Sequence, residues 1–184
     1  MQRELVEAIE GIYQGFSGSD SRALRKVNDT CIESLGIKPE KDLLSLAIIS
    51  YVLSKILSKP RYFERKSNRQ YLSGLKDVLL KCRAYSRSGR ETETHECILG
   101  MLKAVEKLNV SDRRFFLGLQ QKARLKIGAT LYAQGFSLGR ASEITGVETR
   151  EILKYSGGSM MFDRLPEKTG IESRLRVARK IFAK

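Results

Sequence analysis

The residues best placed for chemistry lie in "GVETREILKY", Gly146 to Tyr155. A helix starting near Glu148 presents Glu148, Thr149, Arg150, Leu153 and Lys154 outward, with Glu151 on its flank. Arg150 and Lys154 are four residues apart, so their cations share one face, a turn from each other. A guanidinium matches the paired acceptors on a guanine edge. A threonine can meet a thymine methyl or a phosphate, and a lysine suits a phosphate. The acids act the other way. Glu148 and Glu151 repel a phosphate backbone unless one of them accepts from cytosine. Glu148 also favours the positive end of the helix it begins.

The residues upstream supply what such a helix needs to be held. Ser137 can cap a short first helix, and Ala141 and Ser142 are the small residues where a second helix would cross it. Gly146 supplies the residue that tolerates a left-handed backbone at the turn. Val147 follows at once, Ile152 comes five positions later, and Tyr155 closes the inner face.

The whole stretch, "YAQGFSLGRASEITGVETREILKY", resembles the helix-turn-helix of DNA-binding regulators. More closely, it resembles a module of small prokaryotic, often archaeal, antitoxin-like proteins. Tyr132, Gly135, Ser137, Ala141, Glu143, Gly146, Val147 and Tyr155 carry the resemblance, which covers under a seventh of the chain. It implies DNA binding or an antitoxin role with a protein partner. In the DNA reading, Arg140 on the first helix joins Lys154 as a phosphate contact, while Thr149, Arg150 and Leu153 face the groove.

Charge supports the same direction from independent residues. The 184-residue chain has a formal net charge of +13 and a pI of about 9.8. Such an excess attracts polyanions, nucleic acid first and an anionic membrane surface second. Between Lys55 and Arg90 eleven Lys or Arg stand against Glu64 and Asp77 alone. There Arg61, Arg65, Lys66 and Arg69 interleave with Tyr62, Phe63 and Tyr71. Cations can follow a nucleic-acid backbone while aromatics stack bases. The bland alternative is a solvated helix face whose aromatics enter the core.

Catalytic patterns do not appear. The sole histidine, His95 in "ETETHEC", has Glu91, Glu93, Glu96 and Cys97 nearby. Their spacing is neither HExxH nor a Cys/His metal pattern, so a surface role at a helix start is the better reading. There is no GxxxxGK[ST] and no GxSxG. Cys31, Cys82 and Cys97 are far apart and odd in number, which argues against a disulfide framework or zinc knuckle and for a reducing, cytoplasmic setting. Met1 to Glu10 lacks the apolar block of a signal peptide. "DLLSLAIISYVLSKIL", Asp42 to Leu57, is the most apolar segment, but it is too short to span a bilayer and carries three serines and a lysine. The expectation is a non-enzyme with no cofactor, no metal and no membrane span.

The elements that must position these residues read as helices throughout. Leu5, Ala8, Ile9 and Ile12 give a first helix that breaks at "GFSGSD". Asp20 or Ser21 caps a second, ending near Gly36. The apolar helix runs from about Pro39, placed in its first turn, to Ser58. An amphipathic helix ends at the loop "SRSGR", another covers "ETETHECILGMLKAVEKLN", and a further one runs from Arg113 to about Gln134. "SGGSMMFDRLPEKTG" reads as a loop, and "IESRLRVARKIFAK" as a basic terminal helix.

The predicted class is all-α, with an N-terminal helical bundle (1–110) followed by a C-terminal helix-turn-helix region (111–184). A long helix shared between the two is the alternative to a boundary near Asn109. The leading functional reading is a double-stranded-DNA-binding regulator or antitoxin-like repressor, acting as a homodimer. Its rivals are a helical module for a protein partner and an RNA binder using the 55–90 patch.

Overall fold

The computed structural model describes residues 3–58, 66–111 and 118–159, with side chains placed outside 66–71 and 106–111. These residues form eight α-helices and no strand. They are α1 (Arg3–Ser17), α2 (Ser21–Ile37), α3 (Lys41–Leu57), α4 (Lys66–Arg87), α5 (Glu91–Ser111), α6 (Leu119–Ala133), α7 (Leu138–Thr145) and α8 (Thr149–Gly158). The fold is all-α. The C-terminal basic stretch, and Arg61 and Arg65, lie outside the described residues. Lys66 and Arg69 fall on the first turn of α4, among the residues whose side chains are not placed.

Local signals set the boundaries. Asp20 caps α2 by accepting from the backbone N–H groups of Arg22 at 2.8 Å and Ala23 at 3.0 Å. Those two bonds favour the carboxylate and hold the Asp20 pKa below its ordinary value. Pro39 lies before the α3 cap, Glu40, and not in the first turn. Its ring acts backward, because a residue preceding proline avoids the helical region. Lys38 is accordingly extended and ends α2.

The core is centred on α3. Leu43, Leu46, Ile48, Ile49, Val52, Leu53 and Ile56 are all buried, and together they cover most of the helix circumference. Helices α1, α2, α5 and α6 pack against it. Buried serines on α3 remain satisfied within the helix itself. Ser50 Oγ donates to the Ala47 carbonyl at 3.0 Å and Ser54 Oγ to that of Tyr51 at 2.7 Å. Asn28 of α2 donates to the same Ala47 carbonyl at 2.8 Å, a polar tie inside the apolar contact.

Away from α3, charge fastens α4 to α1. Arg83 Nε lies 2.7 Å from Glu10 Oε2, and Arg87 Nη2 lies 2.9 Å from the same oxygen. The Arg83 hydrogen bond holds the Glu10 carboxyl below the usual range. The Arg83 guanidinium also stacks 4.7 Å from the centroid of Tyr13.

An unpaired carboxylate on α3 has no route to water. Ile48→Asp or Leu53→Asp is therefore expected to cost several kcal/mol, comparable with the whole stability of a domain. Thermal unfolding followed by circular dichroism checks this. A wild-type midpoint in either variant would contradict the central placement of α3.

Candidate nucleic-acid interface

Three consecutive helices build the candidate site. Helix α6 lies against α2 and α3, and it also receives α7 and α8. Ser137 caps α7, its side chain accepting from the Arg140 N–H at 3.2 Å. At the other end Gly146 is left-handed, with φ 69°, and its N–H donates to the Ser142 carbonyl at 2.8 Å. Val147 is buried directly after this turn, Glu148 is the extended cap residue, and α8 begins at Thr149.

Apolar contacts set the angle of α8. Ile152 is fully buried, and it meets α6 where α6 has a glycine. A Cβ at Gly128 would stand 3.0 Å from Ile152 Cδ1 and 3.2 Å from Thr145 Oγ1, so the absence of a side chain permits this close approach. Arg124 of α6 reaches across to the end of α7, donating to the Thr145 carbonyl at 3.0 Å. A cation there complements the negative helix end.

The opposite side of α8 is open. Thr149, Arg150, Leu153 and Lys154 are exposed, with Leu153 half exposed despite its apolar side chain. Among the described residues Arg150 and Lys154 have no ion-pair partner. Glu148 at the cap and Glu151 on the helix are exposed as well. Arg140 differs from the other cations, since its Nη1 lies 2.6 Å from Glu143 Oε2 on α7. It is already neutralised within its own helix.

Other expected features take different forms. Ser156 to Gly158, read as loop, continues α8. Ser156 is buried there, and its hydroxyl donates to the Ile152 carbonyl at 2.8 Å. No group of three or more His, Cys, Asp or Glu among the described residues could hold a metal ion. The His95 Nδ1 sits 2.8 Å from Asp42 Oδ1, joining α5 to α3. Cys82 and Cys97, remote in sequence, meet across α4 and α5 as free thiols. The hydrogen bond between them lowers the Cys97 pKa and raises that of Cys82. Cys31 is isolated by burial, which pushes its thiol up to about 12.

No helix among the described residues is long and apolar enough to cross a membrane. Comparison with protein families, with characterised proteins and with solved structures finds no match.

The turn between α7 and α8 depends on a left-handed backbone at Gly146. Gly146→Ala is expected to destabilise the chain by about 1–2 kcal/mol, because a Cβ strains that conformation even where space is free. Gly146→Asn should cost less, since asparagine tolerates the left-handed region better. Denaturant midpoints of the two variants measure the difference, and equal losses would contradict the backbone explanation.

Proposed function

We propose that the chain is a double-stranded-DNA-binding protein whose α7–α8 pair is a helix-turn-helix, with α8 reading the major groove. The observation that carries this reading is the two-sidedness of α8. Val147, Ile152 and Ser156 anchor one side, and Thr149, Arg150, Leu153 and Lys154 stand free on the other. A recognition helix needs both properties. Its inner side must fix the angle of entry, and its outer first turn must offer donors to base edges. The net charge of +13 supports a polyanionic ligand. A cytoplasmic transcriptional regulator or antitoxin-like repressor is the role this reading suggests.

The roles divide by position. Arg150 lies in the first turn of α8 and specifies, through a guanine edge. Lys154 lies one turn later and positions, through a phosphate. Arg140 contributes less than Lys154, because a phosphate must first displace Glu143. The rival reading, a surface for a protein partner, draws on the exposed Leu153 and on Glu148 and Glu151 beside it.

Selection of bound duplexes from a random pool, followed by titration of the variants, tests the proposal. Arg150→Ala is expected to lose about 1–3 kcal/mol at the preferred site and to relax discrimination there. Lys154→Ala is expected to weaken all duplexes alike and to lower the salt slope by about one. Both variants should keep wild-type thermal midpoints. A folded Arg150→Ala that binds every duplex as wild type does would put the protein-partner reading first.

The same proposal gives an expected assembly. One short helix with two acids is a weak reader alone, and two half-sites a DNA turn apart multiply a modest contact. A homodimer on DNA is expected, and light scattering with and without the selected duplex measures it. Monomer under both conditions would exclude the paired arrangement.

A further inference from the structure

Two of the three cysteines meet, and a single turn brings them together. Helices α4 and α5 are joined by Ser88, Gly89 and Arg90, and they pack against each other. Gly89 is left-handed there, with φ 72°, and the Arg90 N–H donates to the Tyr85 carbonyl at 3.1 Å. So short a connection makes the two helices an antiparallel hairpin. Cys82 stands seven residues before Gly89 and Cys97 eight after it. With a common rise per residue, both lie at nearly the same height above the turn. Equal height is not yet contact, because the facing sides decide that. Cys97 Sγ donates to the Val78 carbonyl at 3.6 Å. Val78 is one turn before Cys82, on the same face of α4. The Cys97 thiol therefore lies against the strip of α4 that carries Cys82, and the two sulfurs share a hydrogen bond.

Their surroundings give the two thiols different parts. Cys82 is fully buried, while Cys97 is half-buried. The bond between them holds the proton on Cys82 and favours the thiolate at Cys97, which the positive charge of Lys81 also favours. A sulfur with thiolate character and some access to solvent is the one that an oxidant meets first. Cys31 offers neither property. It is buried in α2, and burial pushes its thiol up to about 12. No third ligand among the described residues joins Cys82 and Cys97 to hold a metal ion.

We propose that Cys97 and Cys82 form a reversible oxidation site, at which a hydroperoxide converts the pair to an intramolecular disulfide joining α5 to α4. The Cys97 sulfur attacks one peroxide oxygen, the O–O bond breaks, and the leaving oxygen takes the Cys97 proton. With hydrogen peroxide this step yields water and a sulfenic acid at Cys97. The Cys82 sulfur then attacks the Cys97 sulfur. The S–O bond breaks, and the hydroxyl leaves with the Cys82 proton as a second water. The peroxide gains two electrons, and the two thiols lose them. A dithiol reductant reverses the change by exchange. In reducing compartments disulfides are typically of this transient kind. The step is independent of how α8 is used, since both sulfurs belong to the α4–α5 hairpin.

The test treats the full chain with enough hydrogen peroxide to oxidise free cysteine in the same tube. Catalase stops the reaction, N-ethylmaleimide blocks the remaining thiols in denaturant, and mass spectrometry maps the peptides. Two of the three thiols are expected to disappear together, in a linked Cys82–Cys97 peptide, while Cys31 is recovered alkylated. Dithiothreitol should restore all three. Cys82→Ser should stop at the sulfenic acid, trapped at Cys97 by dimedone. Cys97→Ser should keep Cys82 and Cys31 as free thiols under the same peroxide.

Several results overturn the proposal. One is Cys97 driven to sulfinic acid while Cys82 stays free. Another is a disulfide between two chains with Cys82 unreacted. Oxidation of Cys31 before the pair, or survival of all three thiols, overturns it equally. The wild-type map needs no substitution, so it decides the question even where a serine variant does not fold.

Discussion

Burial of most of α3 is the constraint from which the rest of the arrangement follows. Its buried apolar side chains cover most of the circumference, leaving one half-buried strip of Leu44, Tyr51 and Lys55. Burying each such side chain is worth roughly 1.5–3 kcal/mol, which makes covering α3 a large gain for the chain. Helices α1, α2, α5 and α6 provide the cover. Polar groups caught inside must then find partners without water. The serines of α3 do so on its own backbone, and the Asn28 amide N–H does so across the α2 contact while its Oδ1 is left without a partner.

Helix α6 carries that constraint to the C-terminal pair. It closes the bundle against α2 and α3, and it presents Gly128 to Ile152 on another side. The buried apolar residues form one contiguous core, from Leu5 of α1 to Ile152 of α8. The orientation of α8 is consequently set by the same packing that encloses α3. Arg124 reinforces this by tying α6 to the end of α7. A helix whose outer residues must meet a rigid ligand benefits from such a mount, because loose placement of donors forfeits their directionality.

What the sequence revealed was local. Asp20, Ser137 and Gly146 each act within a few residues of themselves, through a cap or a turn. The apolar run of α3 and the spacing of Val147 and Ile152 state which sides are buried. Pairings between distant residues carry no comparable signal. Asp42 with His95, Glu10 with Arg83, Arg124 with Thr145 and Cys82 with Cys97 depend on how helices cross. A lone histidine or an odd cysteine looks the same whether or not such a partner exists. The end of α8 was ambiguous in the sequence, readable either as a helix ending by Gly157 and Gly158 or as a loop from Ser156. Consecutive glycines at Gly157 and Gly158 favour a break, but the burial of Ser156 and its bond to Ile152 keep the last turn helical.

The charge pattern of α8 gives the proposed interface its internal logic. Arg150 and Lys154 are accompanied by Glu151 on the helix and Glu148 at its cap, so cap and helix together have no excess of cations. Such a surface can discriminate, because a misplaced acid penalises the wrong edge as well as a cation rewards the right one. It cannot supply much long-range attraction. Arg140 adds little to the field, being paired with Glu143. Under the proposed reading, the attraction that brings a polyanion to α8 comes from the net positive charge of the rest of the chain. Affinity from overall charge and selectivity from α8 would then be separable properties, each with its own dependence on salt and sequence.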